Sequence, residues 1–278
     1  MTVLSIILGL IFGVCALVVL LSNTIAWYEY ANRDPSLMSN RFSPVRLAGV
    51  IWTMAIETLL LGITVILHPL GWIPAKIKKP AQPSRPVLLL HGLFHNRACW
   101  LWVRLYMRLK GYTAVYTMNL PPWRDVESLT EEVVKKVDEI RHNLGEEKVA
   151  LIGHSMGALI ARNYLQNRGG SDKVSHMVML GAPNAGSKLA PFALLPLGAL
   201  LVPGSNFLTR LAQAPLPDDT HMTSIYSRLD NMILPFESAR LEDINNIEFK
   251  RMGHATLLYH PRVLSAILSA LQSPQETS

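Results

Sequence analysis

Residues 148–162 of the chain read KVALIGHSMGALIAR. A short apolar run typical of a buried strand leads into Gly-His-Ser-Met-Gly, and a helical pattern follows. Such a strand-to-helix turn lifts the Ser155 hydroxyl above the sheet edge. It requires Gly153 and Gly157, because side chains there would collide with neighbouring backbone. Ser155 would lie at a helix N-terminus, whose partial positive charge favours a developing oxyanion. The stretch predicts a nucleophilic serine, with an inert packing turn as the alternative.

Strand and helix patterns alternate on both sides of this turn. Strands are predicted at 87–90, 113–118, 149–152, 174–180, 223–227 and 247–251, and helices at 100–110, 128–143, 156–167 and from Pro261 onward. Ser128 with Glu131 resembles a capping box at the start of the second of these helices. Regular alternation predicts an α/β fold, with a mainly parallel sheet and helices on both faces.

A serine hydroxyl becomes a good nucleophile only when a base takes its proton, and we expect that base on a later loop at the carboxyl edge of the sheet. Of the nine histidines, His254 fits best, because it follows the last predicted strand. The other histidines fit less well: His260 precedes a helix start, His221 and His176 come before the expected acid, and His154 is predicted to point away from Ser155.

The third catalytic group is an acid that holds the histidine in the correct tautomer. Asp230 is the candidate, because it follows the strand before that of His254. Glu242 and Asp243 lie in a later stretch and are expected at the surface, while Asp218-Asp219 reads as a turn. The chain order is then Ser155, Asp230, His254, which is the order expected for this turn type.

An oxyanion hole needs two backbone N–H donors. Met156, directly after the nucleophile, is expected to supply one of them. The second should come from the loop after the first domain strand, where Gly92 would let the backbone approach the serine. We assign the N–H of Leu93, with Phe94 as second choice.

The apolar residues are concentrated at the N-terminal end. Half of the 278 residues are apolar and 17% are charged, whereas soluble domains usually have about a quarter charged residues. Residues 3–21 carry no charge and residues 47–67 carry one acid, and each run is long enough for a helix to cross a bilayer. Residues 1–75 are therefore predicted to form a membrane hairpin. A cleaved signal peptide or a lipoprotein site at Cys15 would need flanking residues that the sequence lacks.

Glu57 is the one charged residue in the two runs. An acid within a membrane span is a functional candidate by default, but the runs contain no second acid or histidine for a relay. We therefore expect a protonated side chain that hydrogen-bonds to the neighbouring helix or to another copy of the chain. The positive-inside rule favours a cytoplasmic catalytic domain.

Residues 76–86 (KIKKPAQPSRP) are predicted to be an extended linker, because they combine three prolines with charges. The catalytic domain would cover residues 87–272, and a chain that begins near Gln82 is expected to fold and act alone. Residues 187–220 are rich in leucine, alanine and proline. Their prolines exclude a third span. We expect an apolar lid that lines an acyl pocket and rests on lipid, with packing into the core as the alternative.

Charge and cysteine content narrow the function classes. The net charge is +6, but the basic residues are scattered, so nucleic acid is not an expected partner, while weak attraction to anionic membrane surfaces is. One of the two cysteines, Cys15, lies inside an apolar run, which excludes a disulfide framework. We expect no cofactor and no metal site. The sequence does not indicate an oligomeric state.

Five segments in this order resemble the α/β-hydrolase superfamily, and within it the bacterial triacylglycerol lipases and esterases: LLLHGLF, LIGHSMGALIAR, LGAPNAGS, SRLDNMILP and GHATLLYHP. The resemblance implies Ser155 as nucleophile, Asp230 as acid, His254 as base, and Leu93 with Met156 as oxyanion donors. Two N-terminal apolar runs stand where secreted lipases of this kind have a cleaved signal, their usual disulfide is missing, and no acids form a convincing calcium site. The resemblance to bacterial enzymes implies that the membrane is a bacterial inner membrane.

The expected function is a membrane-anchored serine hydrolase that cleaves carboxylic esters of lipids through an acyl-enzyme. An acyltransferase or thioesterase would use the same triad and pass the acyl group to an alcohol or a thiol. A scaffold with an inactive hydrolase fold is the non-enzymatic alternative, and the complete set of serine, acid and histidine counts against it.

Overall fold

A computed structural model of the chain describes residues 2–33, 43–74 and 84–272. Its centre is a six-stranded, wholly parallel sheet in the order β2-β1-β3-β4-β5-β6. The strands are β1 Val87–Leu90, β2 Val115–Met118, β3 Val149–His154, β4 Val174–Leu180, β5 His221–Ser227 and β6 Asn245–Phe249. The central strands β1, β3 and β4 are buried along their whole length, as continuous apolar runs in a parallel sheet should be.

Helices cover both faces of the sheet. The α-helices of the described residues are α1 Val3–Arg33, α2 Pro44–Leu67, α3 Leu101–Leu109, α4 Val126–Leu144, α5 Met156–Asn167, α6 Pro196–Leu200, α7 Asn206–Gln213 and α8 Pro261–Gln272. One apolar core joins the sheet to α4, α5 and α7, and a second joins it to α3 and α8 on the opposite face. This is the α/β fold that the alternation predicts.

Several element boundaries differ from the sequence prediction: β2 begins two residues later, at Val115, β3 ends two residues later, at His154, and β5 begins two residues earlier, at His221. Two further differences have a clear cause. Helix α4 begins at Val126 because Asp125, not Ser128, is its N-cap, and the Asp125 carboxylate accepts the N–H of Ser128 at 2.8 Å. Strand β6 starts two residues earlier than predicted, at Asn245, because it pairs with β5 from Thr223 onward. Strand β6 lies at the edge of the sheet, where polar side chains can face water without weakening the hydrogen bonds between the strands.

The N-terminal helices α1 and α2 form a hairpin. Phe12, near the start of α1, lies against Gly62, near the end of α2, so the two helices run antiparallel. Both helices are long and apolar enough to cross a membrane. Only 11% and 17% of the residues in their most apolar 18-residue stretches are buried. A short 3₁₀ helix, His68–Trp72, continues α2.

The hairpin packs against the catalytic domain along its length. Polar contacts join Ser22 to Asn231, Tyr30 to Phe236, Thr64 to Tyr259, His68 to Asn96 and Gly71 to Asn119. These contacts run counter to the expectation of a domain that is independent from Gln82 onward. Most of the predicted linker, residues 76–83, lies outside the described residues.

The lid prediction for residues 187–220 stays a prediction, while the burial of the segment favours its alternative, packing into the core. Helices α6 and α7 pack into the core through Leu197 and Phe207, which are 1% and 3% exposed. Only the turn before α6 shows large apolar side chains to solvent, with Phe192 68% and Leu194 91% exposed. Leucine-rich composition fits a lid and a core segment equally well, and here most of the segment is core.

Candidate active site

Ser155 occupies the sharp turn between β3 and α5. Its backbone angles are φ 53° and ψ −125°, a conformation that non-glycine residues rarely adopt. Its N–H donates to the Leu180 carbonyl of β4 at 2.9 Å, which ties the turn to the neighbouring strand. The side chain is half-buried at the carboxyl edge of the sheet. A strained, partly accessible serine at this place has the geometry of a nucleophile elbow.

The glycines on either side make this turn sterically feasible. A Cβ atom at Gly153 would lie 2.4 Å from the Cα of Ala158. A Cβ atom at Gly157 would lie 2.3 Å from the carbonyl oxygen of Leu90. Both contacts are far inside van der Waals distance and involve backbone, so any side chain would force the turn open.

Asp230 and His254 meet at the same edge. The Nδ1–H of His254 donates to Oδ2 of Asp230 at 2.8 Å. The other oxygen of Asp230 accepts the backbone N–H groups of Met232 and Ile233, at 2.9 and 3.0 Å, so the carboxylate is held from two sides. With Nδ1 engaged by the acid, Nε2 of His254 is the ring nitrogen that remains for a serine proton.

The surroundings of His254 set its protonation. Burial of the imidazole lowers its pKa, but the Asp230 carboxylate and then the Glu57 carboxylate raise it, and the net pKa of His254 lies above its ordinary value of 6.5. His154 faces the same ring, with centroids 4.5 Å apart, and it stacks on His95 at 5.7 Å. Burial lowers the pKa of His154 well below its ordinary value and that of His95 to about 3, so both are neutral neighbours.

The loop assigned to the oxyanion hole approaches Ser155 at Gly92. Gly92 makes the close approach, since a Cβ atom there would lie 2.9 Å from the Cβ of Ser155. Leu93 packs against the core, whereas Phe94 is exposed and has φ 61°. Met156 is the first residue of α5, so its N–H has no acceptor within the helix. Their role as oxyanion donors stays a prediction.

Sequence reasoning missed the groups that hold the loop of His254. Asn231 accepts the His254 N–H at 3.2 Å through its side-chain oxygen. Glu57 accepts the N–H groups of Ala255 and Thr256. The expectation that Glu57 bonds to the neighbouring helix or to another copy is therefore wrong. Glu57 stands out in the sequence as the one acid of the apolar runs. Its partners lie almost 200 residues further along the chain, so no local sequence pattern connects them to Glu57.

Apart from His154, the histidines considered as alternatives lie away from Asp230 and His254. The rings of His176 and His221 lie 5.1 Å apart, tilted by 34°, near the amino-terminal ends of β4 and β5. His260 accepts the Arg262 N–H at the start of α8. Asp243 is exposed. Over residues 2–33, 43–74 and 84–272, no group of three or more histidine, cysteine, aspartate or glutamate side chains is arranged to hold a metal ion.

Comparison with known proteins gives a family match and several lipase relatives. The sequence profile of the alpha/beta hydrolase family matches residues 87–244. A triacylglycerol lipase of Pseudomonas fragi is 29% identical over 110 residues, which are 38% of this chain and 36% of the relative. A triacylglycerol lipase of Burkholderia plantarii is 28% identical over 161 residues, which are 54% and 43% of the two chains. The chain thus matches less than half of the length of either relative.

Solved lipase structures share the fold. Aspergillus fumigatus lipase B superposes with a TM-score of 0.64 at 19% identity, over 73% of this chain and 56% of that chain. The mature Bacillus licheniformis lipase BlEst2 superposes with a TM-score of 0.61 at 17% identity, over 71% and 96%. The profile match covers more than half of the sequence and includes the elbow and Asp230. On this evidence, the chain belongs to the alpha/beta hydrolase family.

Proposed function

We propose that the protein is a membrane-associated serine hydrolase that cleaves carboxylic esters of lipids. The observation that carries the proposal is the bond of 2.8 Å between Asp230 and Nδ1 of His254, at the sheet edge where Ser155 is held in a strained turn. The lipase names of the curated relatives support ester hydrolysis as the reaction class.

The proposed reaction has two steps. His254 Nε2 takes the proton of the Ser155 hydroxyl as Oγ attacks the ester carbonyl, and the same proton then goes to the departing alkoxide, which leaves as an alcohol. Water next attacks the acyl-enzyme, gives its proton to His254, and releases the carboxylic acid while Ser155 regains a proton. Asp230 stabilises the imidazolium in both steps, and the N–H groups of Leu93 and Met156 would bind the oxyanion.

Membrane association is proposed from the outer surface of the hairpin. Helices α1 and α2 expose large apolar side chains along their outward faces, among them Leu4, Leu10, Leu17, Val45, Ile51 and Trp52. A contiguous apolar surface of this size marks a membrane or protein contact. A core helix of a soluble domain would bury these side chains instead. Lipid on this surface would place the catalytic edge close to ester substrates.

The docked arrangement favours a hairpin that lies along the membrane surface over two perpendicular spans. The catalytic domain contacts Arg33 at one end of the hairpin, through Glu237, and Gly71 at the other end, through Asn119. At about 1.5 Å per helical residue, these ends are roughly 40 Å apart, which is the full thickness of a bilayer. A perpendicular hairpin would carry part of the domain into the hydrocarbon.

Sided labelling separates the two arrangements. The native cysteines Cys15 and Cys99 are both buried, so background labelling should be low. In sealed inner-membrane vesicles, a hairpin along the surface predicts that Ser39→Cys and Asp172→Cys react with an impermeant maleimide from the same side. Two complete spans predict opposite sides. The side of Asp172→Cys also tests the proposed cytoplasmic location of the domain.

Hydrolysis of an ester series tests the reaction itself. Full-length protein in detergent should hydrolyse p-nitrophenyl esters and prefer medium or long acyl chains to acetate, and Ser155→Ala should not. Adding an acceptor alcohol or thiol and analysing the products separates a hydrolase, which yields free acid, from an acyltransferase. No turnover of any ester, with Ser155→Ala indistinguishable from wild type, would refute the proposal.

A further inference from the structure

A carboxylate of the hairpin lies against the loop of the catalytic histidine. Glu57, 3% exposed in the middle of α2, accepts the N–H of Ala255 at 2.5 Å and the N–H of Thr256 at 3.0 Å. It also accepts the Thr256 hydroxyl at 2.7 Å. These donors begin the short 3₁₀ helix Ala255–Leu258, which follows His254 directly. Glu57 therefore caps the segment that carries the base.

The fit between hairpin and loop is close. A Cβ atom at Gly253 would lie 2.3 Å from the Glu57 carboxyl carbon, so the residue before His254 must be glycine for Glu57 to reach the loop. Backbone N–H groups can only donate, so this arrangement needs an acceptor at Glu57, which a carboxylate supplies on both oxygens. A buried carboxylate with three donors is a specific contact and not a chance approach.

The other helix of the hairpin braces the same loop from a second direction. Ser22 of α1 accepts from the side-chain amide of Asn231 at 2.8 Å. The carbonyl oxygen of that amide accepts the N–H of His254 at 3.2 Å. The hairpin thus supports Asn231, the acceptor of the His254 N–H. Through Glu57 it also supplies the acceptor of the next two N–H groups, those of Ala255 and Thr256.

We propose that Glu57 is a positioning residue of the reaction: it holds the loop of His254 in register with Asp230 and Ser155, so that the base is in place only while the hairpin is docked. This inference rests on the proposed role of His254 as the general base. It makes the membrane hairpin a part of the catalytic apparatus rather than a tether. Detachment of the hairpin would release the loop without changing any triad residue.

The first test replaces Glu57 in the full-length protein. Glu57→Gln keeps the shape, but its amide nitrogen cannot accept from Ala255 or Thr256. With p-nitrophenyl butyrate in detergent, kcat per active site should fall about a hundredfold while KM changes little, since small misplacement of a catalytic group costs this much. The acid limb of the pH profile should move to lower pH, because the charge facing His254 is removed while Asp230, His154 and His95 stay.

A matched control separates positioning from general damage. Glu29→Gln removes another hairpin carboxylate that pairs with the catalytic domain, through Lys188, away from His254. It should leave kcat and the acid limb unchanged. Active sites are counted by fluorophosphonate titration, so that unfolded protein does not lower kcat. Wild-type kcat per site and an unshifted acid limb in Glu57→Gln would overturn the proposal.

A second pair of variants, at Thr256, tests the proposal if Glu57→Gln fails to fold. Thr256→Val removes one of the three donors to Glu57 at nearly constant shape, and Thr256→Ser keeps it. The valine variant should lose several-fold in kcat and the serine variant should retain it, whereas equal kcat values would overturn the proposal. Wild-type turnover and labelling decide the proposed function separately: if wild type is active and Glu57→Gln matches it, only the positioning role fails.

Discussion

The hairpin and the catalytic domain have opposite distributions of polarity. The domain buries apolar side chains in two cores on either side of its sheet. The hairpin buries Ser22, Glu57 and Thr64 and exposes its large aliphatic side chains. Buried polar groups must find partners, and those of the hairpin find them on the catalytic domain. The inner face of the hairpin therefore specifies where the domain docks, and its outer face is free for lipid.

According to this comparison, the catalytic domain carries the residues that react with the ester, and the hairpin aligns those residues. Variants in the triad should abolish turnover whatever the state of the membrane. Variants at the docking contacts should weaken turnover while the triad stays intact. Variants on the outer apolar surface should affect only substrates that are presented in a bilayer.

The largest expected effect follows from removing the nucleophile or the base. Ser155→Ala and His254→Ala should each lower kcat by about 10⁶, because triad members act as a unit. Both should keep a melting temperature close to that of wild type. Steady-state hydrolysis of a soluble ester, together with thermal unfolding, is the measurement. Residual turnover above about a hundredth of wild type in Ser155→Ala would remove the serine from the mechanism.

Replacing the acid Asp230 should have the next largest effect. Asp230→Asn should lower kcat by about 10⁴, because the amide favours the wrong tautomer of His254. Asp243→Asn is the matched control: this residue is exposed and has φ 60°, which asparagine tolerates. Kinetics on the same soluble ester compare the two variants. An active Asp230→Asn beside an inactive Asp243→Asn would reverse the assignment.

Removal of the whole hairpin should have an intermediate effect. In a chain that begins at Gln82, the N–H groups of Ala255 and Thr256 lose Glu57, and Leu189 and Leu234 lose their packing against Ala26. We expect kcat to fall about a hundredfold relative to the full-length protein in the same detergent. Equal kcat values would show that the domain aligns its own triad and that the hairpin only anchors it.

The pH dependence tests the environment of His254. The base must be neutral to accept a proton, and the carboxylates around it raise its pKa above 6.5. Hydrolysis should therefore be full at alkaline pH and should fall about tenfold per pH unit below the raised pKa of His254. A profile of kcat/KM against pH is the measurement. An acid limb well below pH 6.5 would contradict the environment described for this ring.

The smallest effect concerns the apolar turn before α6. Phe192→Asp and Leu194→Asp should lower hydrolysis of esters in vesicles several-fold and leave soluble short-chain esters unaffected, because both side chains are mostly exposed to solvent. Leu109→Asp is the control: Leu109 is 76% exposed but lies at the opposite edge of the sheet, before β2. Equal losses on both kinds of substrate would show that the turn contributes to folding and not to lipid contact.

How much the sequence predicts differs between the two regions. In the catalytic domain, local patterns were sufficient for the strands of the sheet and for the turn at Ser155: a short apolar run such as Val87–Leu90, bounded by turn residues, favours a buried strand, and the glycines around Ser155 mark the turn because backbone passes close to them. The start of α4 was missed because Asp125 and Ser128 both suit an N-cap. The candidate site residues Ser155, Asp230 and His254 were chosen from chain order along these predicted strands, and the structure joins Asp230 to His254 by a hydrogen bond.

The sequence predicts the two apolar helices of the hairpin, but it does not predict that they pack against the catalytic domain. A bond between Glu57 and Thr256 joins parts of the chain that share no local pattern, so composition indicates only that Glu57 needs a partner. The choice between a lid and a core segment for residues 187–220 is difficult for the same reason. Leucines such as Leu197 and Leu211 look alike whether they cover a pocket or fill a core, and only the packing of α6 and α7 on the domain decides between the two.

Labelling of the full-length protein by a fluorophosphonate, followed by peptide mass spectrometry, tests the central claim most directly. The reagent reacts only with a serine that a neighbouring base has activated. The account predicts one adduct, on Ser155, which disappears in Ser155→Ala and is strongly slowed in His254→Ala, while Glu29→Gln labels like wild type. An unlabelled wild-type protein, or an adduct on a different serine, would contradict a Ser155 nucleophile activated by His254.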